Sequence, residues 1–361
     1  HPVWLAVLQL VGSGGGRFAV VAETLYTMGP AGVVKNAVVI VDDGKIVARK
    51  GAHVDAEMAA ALLGLPWEEL HLIELEPEDL HEEAAGERLA ASVVGDGVEV
   101  KGYSGGQWSL VSTRRGLFQV RDEALLDVNA AEGISVFTLY AGQPVERGEV
   151  VAKAKVTPLV ISGSVIERVE RRARDARGLM TVRPFHARTV GAVTRESLEE
   201  KQRRRFEASL AEKIHWFGSQ LLPIRYAVGD PKAVAREISE LRGAGAQLLI
   251  VAGASALDPL DPVFSALSLL GARMERHGAP AHPGSLLWLA HWDDCPVIGM
   301  PTCGMFSEAT AFDLVLPRLL AGERVGNAEI ADLGHGGLLS REMAFRFPPY
   351  RPGSARGELP E

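Results

Sequence analysis

Apolar segments that alternate with amphipathic ones place the strongest constraint on the fold, and they lie between residues 189 and 323. TVGAVT, QLLPIRYAV and QLLIVAG are typical of strands, whereas SLEEKQRRRFEASLAEKIHWFG and PKAVAREISELRGAG are typical of helices. Strands that alternate with helices of this length indicate a mostly parallel sheet covered on both faces. In such sheets a ligand binds beyond the carboxyl ends of the strands. We therefore expect an α/β domain over residues 186–325 with its site at that edge.

Length, charge and cysteine usage narrow the class of protein. A chain of 361 residues exceeds the usual size of a single core, so two or three domains are expected. The formal net charge of -8 at pH 7 argues against nucleic-acid binding, which needs a basic surface. Cys295 and Cys303 cannot form a disulfide framework or a thiolate metal site by themselves, which indicates a reducing cytoplasm. The apolar run of residues 3–11 is too short to span a bilayer.

The first fifty residues are the least certain segment. VWLAVLQLV, GSGGGR, FAVVAETLYTMG and NAVVIVDDGKIV have the pattern of strand, turn, helix and strand. Gly12, Gly14 and Gly16 invite a dinucleotide-binding interpretation with Asp42 or Asp43 as the ribose ligand. The full fingerprint needs its third glycine at position 17, where Arg17 stands. A flexible glycine turn between two apolar segments is the alternative.

The segments on either side of the predicted α/β domain define the other domains. Residues 51–165 contain two helical patterns followed by short strands with frequent glycines, which predict a mixed, β-rich domain. ERVERRARDARG has dense alternating charge and is typical of a linker helix. Residues 326–361 are rich in Gly, Pro and Arg, and we expect an extended C-terminal tail.

Two turns at strand ends carry the candidate binding residues. Gly253, Ala254 and Ser255 follow an apolar strand, where small residues let a ligand approach the backbone and the Ser255 hydroxyl can donate to a phosphate oxygen. Gly299 and Pro301 break the chain after the next apolar strand in the same way. Cys303 lies in this second turn, where a buried small residue is a better interpretation than a nucleophile.

Carboxylates and cations near these turns are the candidate reactive groups. Asp261 precedes Pro262 and therefore fits the N-cap of a helix. Capping does not explain Asp258, so the two aspartates are also candidates to hold a divalent cation. Lys201 lies in a basic cluster at the start of the helix of residues 197–217, where cations oppose the helix dipole and a bound anion would relieve the conflict. The alternative is a solvated face neutralised in part by acidic residues such as Glu196.

With these pieces in place, the chain resembles the molybdopterin-binding domain of molybdenum-cofactor biosynthesis proteins, near the molybdopterin molybdenumtransferases and gephyrin. GASALDPLDP is similar to the family's glycine-serine turn with its aspartate pair, and VIGMP to its Gly-Leu-Pro element. APAHPGSLLWLA, which contains Pro283 and Gly284, is similar to the segment between them. The similarity extends over residues 50–340, with 247–323 the most specific part.

The resemblance implies a three-layer α/β/α domain that binds molybdopterin or its adenylate through Gly253, Ala254, Ser255, Pro283, Gly284, Gly299, Pro301 and Lys201. It implies insertion of molybdate with Asp258, Asp261 and Glu196 as catalytic residues, and Mg²⁺ on Asp258 and Asp261. A homodimer and a molybdoenzyme apoprotein as recipient are further expectations. Arg195 stands where the family commonly has a glycine before Glu196, and Thr302 where glycine commonly follows Pro301. These departures leave open a non-catalytic carrier or sensor. Without the family resemblance, the α/β part could also belong to a generic nucleotide-binding protein.

Overall fold

The computed structural model describes residues 76–350 apart from 196, 228, 255, 307 and 308, and the backbone of short strands within residues 3–75. The chain is a mixed α/β protein that divides into two compact units. The first unit consists of His1–Val111, Val120–Thr138 and Val150–Thr181, and the second of Ser112–Gln119, Leu139–Glu149 and Val182–Glu361. The last boundary between the units falls after residue 181, in the interval between the predicted β-rich domain, which ends at 165, and the predicted α/β domain, which begins at 186. Two inner segments of the predicted β-rich domain, residues 112–119 and 139–149, belong to the second unit. Among the described helices, none has the length and apolar character needed to cross a membrane.

Strands occupy the described part of the first 75 residues. They are β1 (Val3–Val7), β2 (Arg17–Tyr26), β3 (Val33–Asp42), β4 (Lys45–Arg49), β5 (His53–Val54) and β6 (His71–Leu75). They form two antiparallel sheets, ordered β5-β1-β6 and β2-β3-β4. The predicted helix at FAVVAETLYTMG is wrong over β2, because the long ladder with the β-branched strand β3 satisfies its backbone groups. Gly12, Gly14 and Gly16 lie outside the described residues, as does the first of the two helical patterns predicted after residue 51, which covers residues 55–63.

Residues 76–184 alternate short strands with three helices. In chain order these elements are β7 (Asp79–His81), α1 (Glu82–Val93), β8 (Val98–Ser104), β9 (Gln107–Ser112), β10 (Gly116–Val120), α2 (Asp122–Asn129), β11 (Ile134–Thr138), β12 (Pro144–Val145), β13 (Val150–Val156), β14 (Val160–Ser162), α3 (Gly163–Asp175) and β15 (Met180–Pro184). In the first unit α3 buries Ile166, Val169 and Ala173 and packs on α1. The predicted linker helix is therefore a core helix, because an apolar side lies between its charges.

The second unit is built on one large sheet. Its elements from residue 189 onward are β16 (Thr189–Thr194), α4 (Glu200–Trp216), β17 (Gln220–Leu221), β18 (Arg225–Tyr226), α5 (Pro231–Gly243), β19 (Leu248–Ala252), α6 (Pro262–Leu269), β20 (Arg273–His277), β21 (Trp288–Trp292), β22 (Cys295–Met300), α7 (Thr302–Phe306), α8 (Ala311–Leu320) and α9 (Asn327–Ala331). The strand order is β17-β16-β19-β22-β21-β20, and β18 also pairs with β16. The pairs among β16, β17, β18, β19 and β22 are parallel, as predicted, while β20 and β21 add an antiparallel edge.

Helices cover both faces of this sheet. Along β19, Leu248 and Ile250 belong to an apolar cluster with α4 and α8, whereas Leu249 and Val251 belong to a second cluster with α5 and α6. Successive side chains of a strand point to opposite faces, so the all-apolar sequence of β19 reflects burial on both sides.

One buried ion pair crosses the first of these clusters. Lys213 of α4 donates to Asp313 Oδ1 of α8 at 2.5 Å, and both side chains are almost completely buried. The other Asp313 oxygen accepts from the Thr310 backbone and hydroxyl, and the Tyr350 hydroxyl donates to Oδ1 at 3.0 Å. A buried charge needs such a complete set of partners, since an unpaired one is strongly destabilising.

The C-terminal segment differs from its prediction. Instead of an extended tail, α9 follows Gly326, and residues 332–334 and 341–346 form 3₁₀ turns. Ile330, Leu339, Phe347 and Tyr350 are buried in the apolar cluster on the α4 and α8 side of the sheet. These apolar residues supply the packing that the Gly-, Pro- and Arg-rich composition does not indicate.

Candidate functional site

The ends of four parallel strands form a continuous edge in the second unit. Thr194 is opposite both Tyr226 and Ala252, and Ala252 is opposite Met300. Consequently β18, β16, β19 and β22 end side by side, and the turns that follow them are neighbours. We call this the carboxyl edge. Both turns singled out in the sequence lie there.

The turn after β19 is tied to the end of β22 through its backbone. Gly253 adopts φ +80°, a conformation that glycine tolerates better than other residues, and its N–H donates to Met300 O at 3.0 Å. Ala254 is completely buried, and its carbonyl accepts from Trp288 Nε1 at 3.1 Å. Ser255 lies outside the described residues. The described part of this turn is thus held rigidly against its neighbour.

The break after β22 depends on a tryptophan that sequence reasoning missed. A Cβ on Gly299 would lie 2.1 Å from Trp288 Nε1, so glycine is required for the indole to pack across the strand. Pro301 is buried and its carbonyl accepts from the Gly304 N–H at 2.8 Å. The glycine in VIGMP therefore has a structural reason, and the signal that could have revealed it is a lone glycine inside an apolar strand.

Asp261 and Asp258 have different environments. Asp261 caps α6 as predicted, with Oδ1 accepting from the Val263 N–H at 2.9 Å. The same oxygen accepts from Arg195 Nη1 at 2.7 Å, and both side chains are largely buried. Asp258 is exposed and accepts from the Leu260 N–H at 2.9 Å. The structure brings both aspartates to the carboxyl edge, but among the residues it describes an ion pair is formed by Asp261 and not by Asp258.

Arg195 is the strongest unpredicted feature of this edge. It follows β16 directly, and its Nε is buried with no hydrogen-bond partner in the described part of the chain. A buried N–H without a partner costs about 1–3 kcal/mol, and a guanidinium binds oxyanions through a planar fork of donors. The sequence singled out this position only as the replacement of a glycine, and no local pattern could have paired it with Asp261.

Pro283 and Gly284 lie in the loop before β21. The His282–Pro283 peptide bond is cis, and the Pro283 carbonyl accepts from the Ala311 N–H at 2.9 Å. A Cβ on Gly284 would lie 2.7 Å from Ala311 N, and its φ is +107°, so only glycine fits there. This loop is consequently fixed to the start of α8. A further loop contact is the Ala256 N–H, which donates to Leu286 O at 3.1 Å.

Cations of α4 lie close to the same edge. Arg203 stacks over the ring of Tyr226 at 4.1 Å, and Tyr226 donates to Glu207 at 2.8 Å. Burial, followed by the Glu207 carboxylate, raises the pKa of Tyr226 to about 12. Lys201 is exposed on the first turn of α4, and Glu196 lies outside the described residues. Within the same helix, Arg203 forms an ion pair with Glu207 and Arg204 with Glu200.

The two cysteines do not share one environment. Cys295 is completely buried, and burial raises the pKa of its thiol to about 11. Cys303 is exposed on α7, so the expectation that it is a buried small residue is wrong. α7 is a short helix, and its Met305 and Gly304 rather than Cys303 face the core.

The residues at the carboxyl edge fit an anion better than a cation. Within residues 76–350 as described, no group of three or more His, Cys, Asp or Glu side chains is arranged to hold a metal ion. The Asp261 oxygen that faces the edge is already shared by a backbone N–H and by Arg195. A cation on Asp261 would have to displace that guanidinium or lie beside it.

Comparison with known proteins adds no further information on this site. No protein-family model matches the chain, and a search of curated proteins finds no significant match.

Proposed function

We propose that the chain binds molybdopterin or its adenylate at the carboxyl edge, within a three-layer α/β/α domain of the molybdopterin-binding type. The observation that carries this proposal is the adjacency of the turns after β16, β19 and β22, in which Arg195 follows the residue opposite Ala252, and Gly253 and Pro301 follow the paired residues Ala252 and Met300. Parallel sheets bind ligands at such an edge. Molybdopterin presents an anionic phosphate, and the unpartnered Arg195 Nε is a donor for an oxyanion.

The charged residues at the carboxyl edge support binding of the pterin more directly than they support insertion of molybdate. If the chain inserted molybdate, Asp258 and Asp261 would hold Mg²⁺, and Asp258, Asp261 and Glu196 would be the residues that help deliver molybdate to the dithiolene. Asp261 is neutralised by Arg195, which favours a carrier or sensor that passes the cofactor to a molybdoenzyme. Asp258 is exposed and has no charged partner in the described residues, so it is the better candidate for the metal-handling role.

Equilibrium binding of molybdopterin and of its adenylate to the purified chain tests this proposal. Arg195→Gln should weaken binding at least tenfold, because a charge-assisted bond to the ligand is lost. Arg171→Gln is the matched control, since Arg171 is an exposed arginine of α3 in the first unit. If the wild-type chain binds and Arg195→Gln binds as tightly as Arg171→Gln, the assigned site is contradicted. If the wild-type chain binds neither molybdopterin nor its adenylate, the proposal is overturned.

A second measurement separates the enzyme from the carrier. Molybdate insertion is followed with the adenylate as substrate, with and without Mg²⁺, in the wild-type chain and in Asp258→Asn. If the chain is an enzyme, the wild type should insert molybdate in a reaction that depends on Mg²⁺. Asp258→Asn should lose this insertion while it still binds the pterin. Pterin binding without any insertion favours the carrier. Tight binding of plain nucleotides with no preference for pterin would instead favour a generic nucleotide-binding protein.

A further inference from the structure

A cavity of about 900 Å³ lies in the second unit at the opposite end of the sheet from the carboxyl edge. Its wall includes Arg188, just before β16, and Pro296, near the start of β22. It also includes Arg273 and His291, which are opposite each other in β20 and β21. Pockets for small organic ligands have volumes of roughly 300–1,000 Å³, so this cavity can hold a molecule of nucleotide size.

Most carboxylates of the wall are already held by donors. Three of them are paired with arginines: Glu323 with Arg318, Glu275 with Arg273, and Asp294 with Arg242. Glu329 accepts from the Gly326 N–H at 2.7 Å, and backbone hydrogen bonds lower its pKa, so it stays ionised. Asp293 is exposed to solvent. Most of the acceptor capacity of the wall is therefore used, although Glu275 Oε2, which lies 2.7 Å from Arg273 Nη2, is buried and forms no hydrogen bond in the described part of the chain.

Two arginines of the wall, in contrast to most of its carboxylates, form no ion pair in the described part of the chain. Arg188 is half-buried and Arg324 is exposed, and neither forms an ion pair with any residue that the structure describes. Guanidinium groups bind phosphate and carboxylate through paired N–H donors. The cavity thus offers two arginines that form no ion pair in the described part of the chain, although Arg324 is near enough to Glu329 to contribute, after the backbone hydrogen bonds, to the lowered pKa of that carboxyl.

His291 adds a neutral polar group. Its Nδ1 is buried and has no hydrogen-bond partner in the described part of the chain. Burial, the largest cause, lowers the pKa of this imidazole, so it is uncharged at neutral pH and can donate or accept one hydrogen bond. Buried polar atoms usually have a partner, and a bound molecule with a hydroxyl, amide or oxyanion group would supply it.

We propose that this cavity is a second binding site, which takes an anionic organic metabolite of nucleotide size. Arg188 and Arg324 hold its phosphate or carboxylate, and His291 hydrogen-bonds to another polar group. The proposal is independent of the function assigned to the carboxyl edge, because none of the residues that carry it contributes to that edge.

Calorimetric titration of the full chain with AMP, citrate and inorganic phosphate tests this site. AMP and citrate separate organic phosphates from polycarboxylates, and inorganic phosphate alone measures how much the rest of the ligand contributes. The Arg188→Gln/Arg324→Gln double variant should bind the preferred probe at least roughly tenfold more weakly. His291→Phe should also weaken binding but leave the charge contribution, and therefore the salt dependence, unchanged.

Two controls make the outcome decisive. Arg171→Gln removes an exposed arginine of the first unit and should bind as the wild type does. Arg195→Gln removes the cation of the carboxyl edge, so probe binding that persists in this variant is assigned to the cavity rather than to that edge. Thermal unfolding of each variant shows that the fold is retained. The proposal would be overturned if the double variant bound the probe as tightly as the wild type does, or if Arg195→Gln lost binding. It would also be overturned if the wild-type chain bound neither AMP nor citrate.

Discussion

At the scale of single residues, Asp261 serves two purposes with one oxygen atom. Its N-cap position is legible in the sequence because aspartate before proline is a local signal. Its ion pair with Arg195 joins positions 66 residues apart, and no local pattern encodes such a contact. The chemistry of a candidate site depends on both, so the sequence identified the residue but not the charge that it faces.

The two thiols should react at very different rates. Cys303 is exposed, whereas Cys295 is completely buried and the pKa of its thiol is raised to about 11. Because the thiolate is the reactive form, a disulfide reagent near pH 8 should label one thiol per native chain and two per unfolded chain. Cys303→Ser should then show no fast labelling. Rapid reaction of Cys295 in the folded variant would contradict its burial.

Burial of Cys295 also predicts a loss of stability at alkaline pH. The unfolded thiol ionises near its ordinary pKa of 9.0, and the folded thiol at about 11. The raised pKa stabilises the folded chain fully below pH 9, and this contribution is lost as the pH rises to about 11. Denaturant unfolding at a series of pH values should show a shallower decline for Cys295→Ala than for the wild type. Parallel curves would contradict the prediction.

At the scale of elements, the contact between β21 and β22 depends on the absence of a side chain. Gly299→Ala would place a methyl carbon against the Trp288 indole and disturb its bond to Ala254 O. We expect a cost of about 1–3 kcal/mol and a changed tryptophan fluorescence spectrum. Gly102→Ala in β8 is the matched control, since a Cβ there meets no atom within 4 Å. Equal stability of the two variants would contradict this packing.

The ion pair between α4 and α8 makes a second prediction at this scale. Lys213→Met leaves Asp313 buried without its cation and should cost about 3–5 kcal/mol in chemical denaturation. Adding Asp313→Leu to Lys213→Met should restore part of that loss, because no uncompensated charge remains. A double variant with the summed cost of the two single variants would show that the residues act independently.

Elements were predictable where local patterns agree with tertiary packing. β16, β19 and α4 are buried in the way that their apolar spacing indicates, and capping residues define the starts of α5 and α6. β2 has a sequence compatible with a helix, and its long ladder with β3 decides otherwise. The prediction of an extended C-terminal tail is wrong over the described residues 326–350, because a few apolar side chains pack this segment into the core and average composition does not reveal them.

At the scale of the whole molecule, that C-terminal segment should be required for the stability of the second unit. Phe347 is buried in its apolar cluster, and Phe347→Ala should cost about 3–5 kcal/mol in denaturant unfolding. Leu338→Ala is the control in the same segment, because Leu338 is 78% exposed and should change stability little. A Phe347→Ala variant as stable as the control would mean that the segment is dispensable.

The division into units was beyond sequence reasoning for a physical reason. A local pattern identifies a strand such as β10, but the sheet that a strand joins depends on partners distant along the chain. Residues 112–119 and 139–149 therefore appeared to belong with their neighbours in sequence, although they belong to the second unit.

Because segments of the two units alternate along the chain, the division has consequences for the evolution of the protein and for its synthesis on the ribosome. The chain passes between the units after residues 111, 119, 138, 149 and 181, so neither unit corresponds to one continuous stretch of coding sequence. During synthesis, the early segments of the second unit leave the ribosome well before the large sheet to which they belong. No single cut in the gene releases either unit intact, so recombination can transfer the two units only together.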